Sequence, residues 1–391
     1  MTRLLSALLL AAGTLAAVQP AASAADCPRA VAGDFDGDGA EDLAIGDPLA
    51  GPGAVHLLSG DKIVPLGAPA LGEADGYGWA VRLADVNGDR CADLLVGAPY
   101  ADVDGVIDAG AVYVLHGGAG AEPRRLVAPQ PQQEAHFGWS IAAKGTLIAI
   151  GAPYEDEANA PDQGAVYVGD GVDRLRRYSQ ETTGIPGNGE QGDQFGWALA
   201  FGPGNKLVVG VPYENDDGGG RQIDQGKLDS GSMTVLEDVT AAQVTATKWE
   251  PQGLNQGDRF GYAVAYSDRA GLAVSAPRAG FVQLFDQQLK ASRRIEETSA
   301  VSLAASSDGR LAIGLAGTGT VRVVGPDEDR TLEPAAPEAR QGAAVAFAGN
   351  RLVVGAPDRG PYGAISVLGR NADRLEPLQP ARGADFGSSL S

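Results

Sequence analysis

Two short segments carry oxygen ligands at the spacing of a metal-binding loop. Asp34, Asp36, Asp38 and Asp42 stand at positions 1, 3, 5 and 9 of one segment, with Gly37 and Gly39 between them. Asp85, Asn87, Asp89 and Asp93 hold the same positions in a second, which keeps Gly88 but has Arg90 where the first has Gly39. Alternate oxygens at 1, 3 and 5 wrap one side of a hard cation. The main-chain carbonyl at position 7, Ala40 or Cys91, adds a ligand, and position 9 closes the cage. The set suits Ca2+ better than Mg2+, so two Ca2+ sites are expected. Asp-rich turns also form without metal, because Asp and Asn favour them; two loops in matching register argue for the ion. With four carboxylates against three and an amide, the first loop should bind more tightly. Arg90 bears strain if its position needs a positive φ. Calcium here has a structural role, because an ion held only by the folded state stabilises it.

Other reactive groups point away from catalysis. His56, His116 and His136 share no common position, and neither an H-x-x-x-H nor a Gly-x-Ser-x-Gly context occurs. No catalytic residue is assigned. Cys27 and Cys91 are the two cysteines, and in an oxidising compartment their simplest state is a disulfide; two buried thiols are the alternative. Arg3, the apolar run Leu4 to Ala12 and the small residues Ala22-Ser23-Ala24 read as a signal peptide over residues 1–24. The expected protein is secreted, with one domain over residues 25–391. No later run reaches transmembrane length. Thirty basic and 50 acidic residues give a formal charge of −20, the wrong sign for nucleic acid or an anionic membrane.

The elements that place these residues repeat. Fifty-six Gly and 24 Pro in 391 residues imply many tight turns and an all-β chain. Gly-x-Pro or a worn relative recurs at Gly46, Gly97, Gly151, Gly210, Ser275, Gly314 and Gly355, at blade-sized intervals. Each copy follows a short apolar run and precedes a second strand that opens on Gly, as at Gly110-Ala111-Val112-Tyr113-Val114. A third element, such as Tyr77-Gly78-Trp79-Ala80-Val81 or Phe137-Gly138-Trp139-Ser140-Ile141, stands before most copies. Read as a strand, it puts its rings on one face and small residues on the other, so Trp79, Trp139, Trp197 and Tyr262 read first as packing between blades.

Phe-Gly followed by Gly-Ala-Pro, seven times over with acidic loops, resembles the FG-GAP repeat of integrin α-subunit propellers and their secreted bacterial relatives. The resemblance implies a seven-bladed β-propeller of four-stranded antiparallel blades. The Asp34 and Asp85 loops are similar to the calcium loops between the first two strands of such repeats. Asp385-Phe386-Gly387 at the far end lacks its Gly-Ala-Pro partner, and the segment from Asp34 to Pro48 lacks its Phe-Gly; pairing the C-terminal and N-terminal segments closes the ring.

Strand direction places the calcium loops at one end of the propeller and the connections between second and third strands at the other. Those connections are long and acidic after Tyr100, Tyr154 and Tyr213, the candidates for contact with a ligand. A solvated acidic surface is the bland reading. The expected function is a non-enzymatic, calcium-binding adhesion or interaction module, a monomer that recognises an extracellular protein or glycan. The alternative is a carbohydrate-active enzyme or a polysaccharide-binding accessory, since a propeller does not decide function.

Overall fold

The computed structural model describes residues 27, 31–118, 122–157, 160–215, 227–333, 340–368 and 385–391. Every element in it is a strand. Blade 1 contains β1 (Leu43–Asp47), β2 (Ala54–Ser59) and β3 (Lys62–Pro65); blade 2 is β4 (Val81–Ala84), β5 (Asp93–Ala98), β6 (Ala111–Leu115) and β7 (Arg124–Leu126). Blade 3 follows as β8 (Ser140–Lys144), β9 (Leu147–Ala152), β10 (Ala165–Asp170) and β11 (Arg176–Tyr178). Blade 4 is β12 (Ala198–Phe201), β13 (Leu207–Val211), β14 (Ser232–Leu236) and β15 (Ala246–Trp249). Blade 5 is β16 (Val264–Ser267), β17 (Gly271–Ala276), β18 (Phe281–Phe285) and β19 (Ala291–Glu296), and blade 6 is β20 (Ala300–Ala305), β21 (Leu311–Leu315), β22 (Thr320–Val324) and β23 (Asp329–Leu332). Blade 7 shows β24 (Val345–Ala348), β25 (Arg351–Ala356) and β26 (Ala364–Leu368); its expected fourth strand falls in 369–384, outside the described residues.

All pairings within blades are antiparallel meanders, and the first strands of successive blades pack side by side around the axis. The last strand, β27 (Ser389–Leu390), pairs antiparallel with β1 and completes blade 1 from the other end of the chain. Asp385 N donates to Asp47 Oδ1 at 2.9 Å beside it. The expected seven-bladed ring, closed by its two ends, is what forms. Apolar side chains gather between neighbouring sheets: one cluster joins Val166 and Tyr178 of blade 3 to Leu207, Val209 and Leu236 of blade 4, and another joins Val353 and Ile365 of blade 7 to Leu43 and Ile45 of blade 1. Burial of sheet faces against one another holds the disc together.

One local expectation is corrected. The Phe-Gly element is not the start of the inner strand, which begins later, at Val81, Ser140, Ala198 and Val264. Gly78, Gly138, Gly196 and Gly261 have φ between +94° and +100°, a conformation that breaks the pleat and its alternation of faces. The ring before each Gly therefore drops into the neighbouring blade: Tyr77, Phe137, Phe195, Phe260 and Phe386 are fully buried, and Tyr77, Phe260 and Phe386 bridge Gly53, Gly231 and Gly363 of the preceding blade in parallel. The two repeated motifs are halves of one contact. Gly97 of Gly-Ala-Pro lies under the carbonyl of Gly138, where any β-carbon would collide, and Gly46, Gly151, Gly210, Gly314 and Gly355 repeat the arrangement.

Candidate functional site

The two acidic loops sit at one end of the disc and share a backbone design. Asp34 accepts from Gly37 N at 2.8 Å and Gly39 N at 2.9 Å, while Asp85 accepts from Gly88 N at 2.7 Å and Arg90 N at 3.0 Å. At position 3, Asp36 accepts from Asp38 N and Asn87 from Asp89 N; at position 5, Asp38 accepts from Ala40 N and Asp89 from Cys91 N. Position 9 reaches back, with Asp42 Oδ2 taking Phe35 N and Asp93 Oδ2 taking Val86 N, both at 2.9 Å. Short acidic side chains that bond the backbone two or three residues on are what curl each loop. The expected strain is present, because Arg90 has φ +73° where Gly39 has +87°, which costs about 1–2 kcal/mol in a residue with a β-carbon.

The loops differ at position 9. Asp34 and Asp42 are buried, and with Asp36 they offer carboxylate oxygens that all lie within 4.8 Å of one another. Asp42 Oδ1 is buried and has no hydrogen-bond partner. Burial pushes its carboxyl up to about 6 against the pull of the Phe35 and Asp36 amides. A buried oxygen without a donor, set among converging carboxylates, fits a cation. In the second loop the same oxygen is already occupied: Asp93 Oδ1 lies 2.9 Å from His116 Nδ1 and accepts from Gly117 N at 3.3 Å. Asp85, Asp89 and Asp93 do not converge as the first set does, and Asp38 stands outside the first set. Ala40 and Cys91, the expected carbonyl ligands, occupy position 7 in both loops. Cys27 and Cys91 form a disulfide across a sequence separation of 64 residues, so the N-terminal arm is bonded into the second loop while its sulfur lies beside Gly37 of the first.

The opposite end carries rings. Trp79, Trp139, Trp197 and Tyr262, from successive blades, form a continuous arc with centroids 4.7, 5.0 and 5.5 Å apart. Tyr100, Tyr154 and Tyr213 stand edge-on to the three Trp rings at 5.5, 5.2 and 5.5 Å. The Trp rings do bridge neighbouring blades, as expected, but they and the Tyr rings are only half-buried, so the packing layer is also a surface. His136 is wedged between Tyr100 and Tyr154, and the Arg259 guanidinium lies 4.5 Å over Tyr213. His136, Gln194 and Arg259 all hold positive φ at the position before Phe, where the Tyr77 copy has Gly76. Asp108, Asp162 and Asp229 likewise hold positive φ, with their amides bonded to Asp102, Asp156 and Asn215. Sequence reasoning selected the three Tyr but missed His136, Gln194 and Arg259; the signal was their shared place one residue before Phe. Asp216, Asp217 and Asp224 of the third loop lie outside the described residues.

Beneath the arc, Asp193 and Glu214 are buried together. Burial and the neighbouring Glu214 hold the Asp193 carboxyl far above the usual range. Glu214 is tied to Lys248 Nζ at 2.8 Å and Gln180 Nε2 at 2.6 Å.

The chain matches the FG-GAP repeat family over residues 77–115 and 121–169. It is 36% identical to integrin alpha-PS2 of Drosophila melanogaster over 157 residues, 35% of this chain and 11% of that protein. It is 30% identical to human phosphatidylinositol-glycan-specific phospholipase D over 227 residues, 51% of this chain and 26% of that protein. The chain thus spans at most about a quarter of either relative's length. Among solved structures, virginiamycin B lyase from Staphylococcus aureus superposes with a TM-score of 0.55 at 9% identity, covering 78% of this chain and 85% of that one, a likeness of fold alone. No helix among the described residues is long and apolar enough to cross a membrane. Seven blades built on interlocked Phe-Gly and Gly-Ala-Pro turns, together with these matches, support an FG-GAP, integrin α-like β-propeller.

Proposed function

We propose that the protein is a secreted, calcium-stabilised interaction or adhesion module that binds an extracellular protein or glycan through the aromatic end of the disc. The observation that carries this reading is the arc from Trp79 to Tyr262 with its three edge-on Tyr rings, half-exposed and rimmed by Asp108, Asp162 and Asp229. Large amphipathic rings on a rigid scaffold give contact area at low entropic cost, and loops on a rigid ring are where propellers place recognition. The secretion half of the proposal rests on the leader expected over residues 1–24, outside the described residues, and on the Cys27–Cys91 disulfide. Calcium belongs at the other end, held chiefly by Asp34, Asp36 and Asp42.

The test is a binding screen of the purified full chain, with calcium, against arrays of glycans and extracellular proteins. Trp139→Ala and Tyr154→Ala should abolish any specific signal while leaving the fold intact. A ligand bound equally well by both variants would refute the aromatic end as the recognition surface.

A second reading, a carbohydrate-active enzyme, draws on the raised Asp193 carboxyl beside Glu214, since a carboxyl held protonated by burial can serve as a general acid. It ranks lower because both are buried and Glu214 is engaged by Lys248 and Gln180. Turnover in a polysaccharide hydrolysis screen, lost in Asp193→Asn, would reverse the ranking.

A further inference from the structure

The second acidic loop contains the dipeptide Asn87-Gly88, exposed to solvent at both residues. An asparagine followed by glycine can cyclise, because nothing on the glycine shields its backbone nitrogen from the side-chain amide carbon. Three contacts around this pair favour that reaction. The Gly88 N–H, which would become the nucleophile, donates to Asp85 Oδ1 at 2.7 Å. The Asn87 Oδ1, where negative charge develops, accepts from Asp89 N at 2.9 Å. The departing Nδ2 lies 3.3 Å from His116 Nδ1, and its hydrogen bond to Asp89 Oδ2 at 2.9 Å is given up as it leaves. A base on the nucleophile, a donor on the developing oxyanion and a proton carrier at the leaving group are the components of assisted acyl transfer.

We propose that Asn87 is a self-deamidating modification site, whose reaction leaves an acid at the third position of the second loop. The Gly88 nitrogen bonds to Asn87 Cγ and gives its proton to the Asp85 carboxylate. The Cγ–Nδ2 bond breaks, and Nδ2 leaves as ammonia after taking one proton through His116; solvent restores both groups. One water then opens the succinimide. Attack at Cγ leaves an ordinary aspartyl residue in place of Asn87, and attack at the main-chain carbonyl carbon leaves the isoaspartyl form, with one water consumed and one ammonia released overall. The direct product gives this loop an acid at positions 1, 3, 5 and 9, the same set as Asp34, Asp36, Asp38 and Asp42. The isoaspartyl product lengthens the backbone and disrupts the turn. A cation held by Asp85 and Asn87 withdraws both oxygens from these contacts and protects the amide; that corollary rests on the calcium reading of the loop.

Asn188-Gly189 is an internal reference. Its Gly N–H also donates to a carboxylate, Glu181 Oε1 at 3.1 Å, but among the described residues the Asn188 amide makes neither of the other two contacts. The folded full chain is incubated at neutral pH with a chelator, and both sites are followed by peptide mass mapping for the amide-to-acid mass gain. Asn87 should convert several-fold faster than Asn188, and Asp85→Asn and His116→Ala should each slow it while circular dichroism stays unchanged. An intact Asn87, a rate no greater than that of Asn188, or indifference to both substitutions would overturn the proposal. A parallel incubation with calcium reads the corollary separately: equal rates with and without the ion would refute calcium in this loop and leave the deamidation site standing.

Discussion

The Asp34 and Asp85 loops are built on one backbone plan and differ in what meets their last carboxylate. Each curls around its first acidic residue, which accepts two backbone N–H groups. In the first, Asp42 Oδ1 is buried without a donor; in the second, Asp93 Oδ1 is engaged by His116 and Gly117. Ligand spacing sets the shape of such a loop, whereas the neighbours of position 9 set its need for an ion. The first loop leaves a buried carboxylate oxygen open to a cation. The second has assembled protein partners for the same atom, and it carries the cost of Arg90 at φ +73°.

The largest effect should come from cutting the covalent link between the loops. Cys27→Ser closes no loop of 64 residues and should lower stability by about 4 kcal/mol in chemical denaturation under oxidising conditions. Little change would mean that the N-terminal arm is held by packing alone. Next come the two position-9 carboxylates, whose amide variants should have opposite signs in chelator. Asp42→Asn relieves an unpartnered buried oxygen and should stabilise by about 1–2 kcal/mol, while Asp93→Asn sets an amide against the Gly117 donor and should destabilise by a similar amount. Same-sign effects would erase the distinction between the loops.

Burial raises both position-9 carboxyls, and His116 opposes it only at Asp93. Folding raises the Asp42 carboxyl from 3.8 to about 6, so the folded state binds its proton more tightly than the unfolded chain does. That contribution is whole below about pH 4 and is lost as the pH rises through about 6. Calcium-free protein should therefore lose stability across that window, and saturating calcium or Asp42→Asn should flatten the slope. The smallest effect is at Arg90: Arg90→Gly should raise the melting midpoint by the equivalent of about 1 kcal/mol, with no change in calcium binding by the Asp34 loop in calorimetry.

The ring was legible because its signal is redundant. Seven Gly-x-Pro elements, seven following strands and an unpaired Phe-Gly at the C-terminus all specify a closed disc, and β27 pairing with β1 follows from that arithmetic. The Phe-Gly strand was misread because alternation assumes an unbroken pleat, and a left-handed Gly138 or Gly196 turns the chain out of it. At the cation end, residue types and the strain at Arg90 were readable in order. The difference between Asp42 and Asp93 was not, because it depends on His116 and Gly117 arriving from the next hairpin. At the aromatic end, the three Tyr could be chosen for standing at loop mouths, but the arc they join appears only when successive blades bring Trp79, Trp139 and Trp197 together.

Calcium calorimetry on the full chain, alongside Asp36→Ala and Asn87→Ala, decides whether the first loop is the primary cation site. Asp36→Ala should remove the tighter binding step, and Asn87→Ala should leave it in place. Tight binding that survives Asp36→Ala, or equal affinities at the two loops, would show that position 9 does not set the order of the sites.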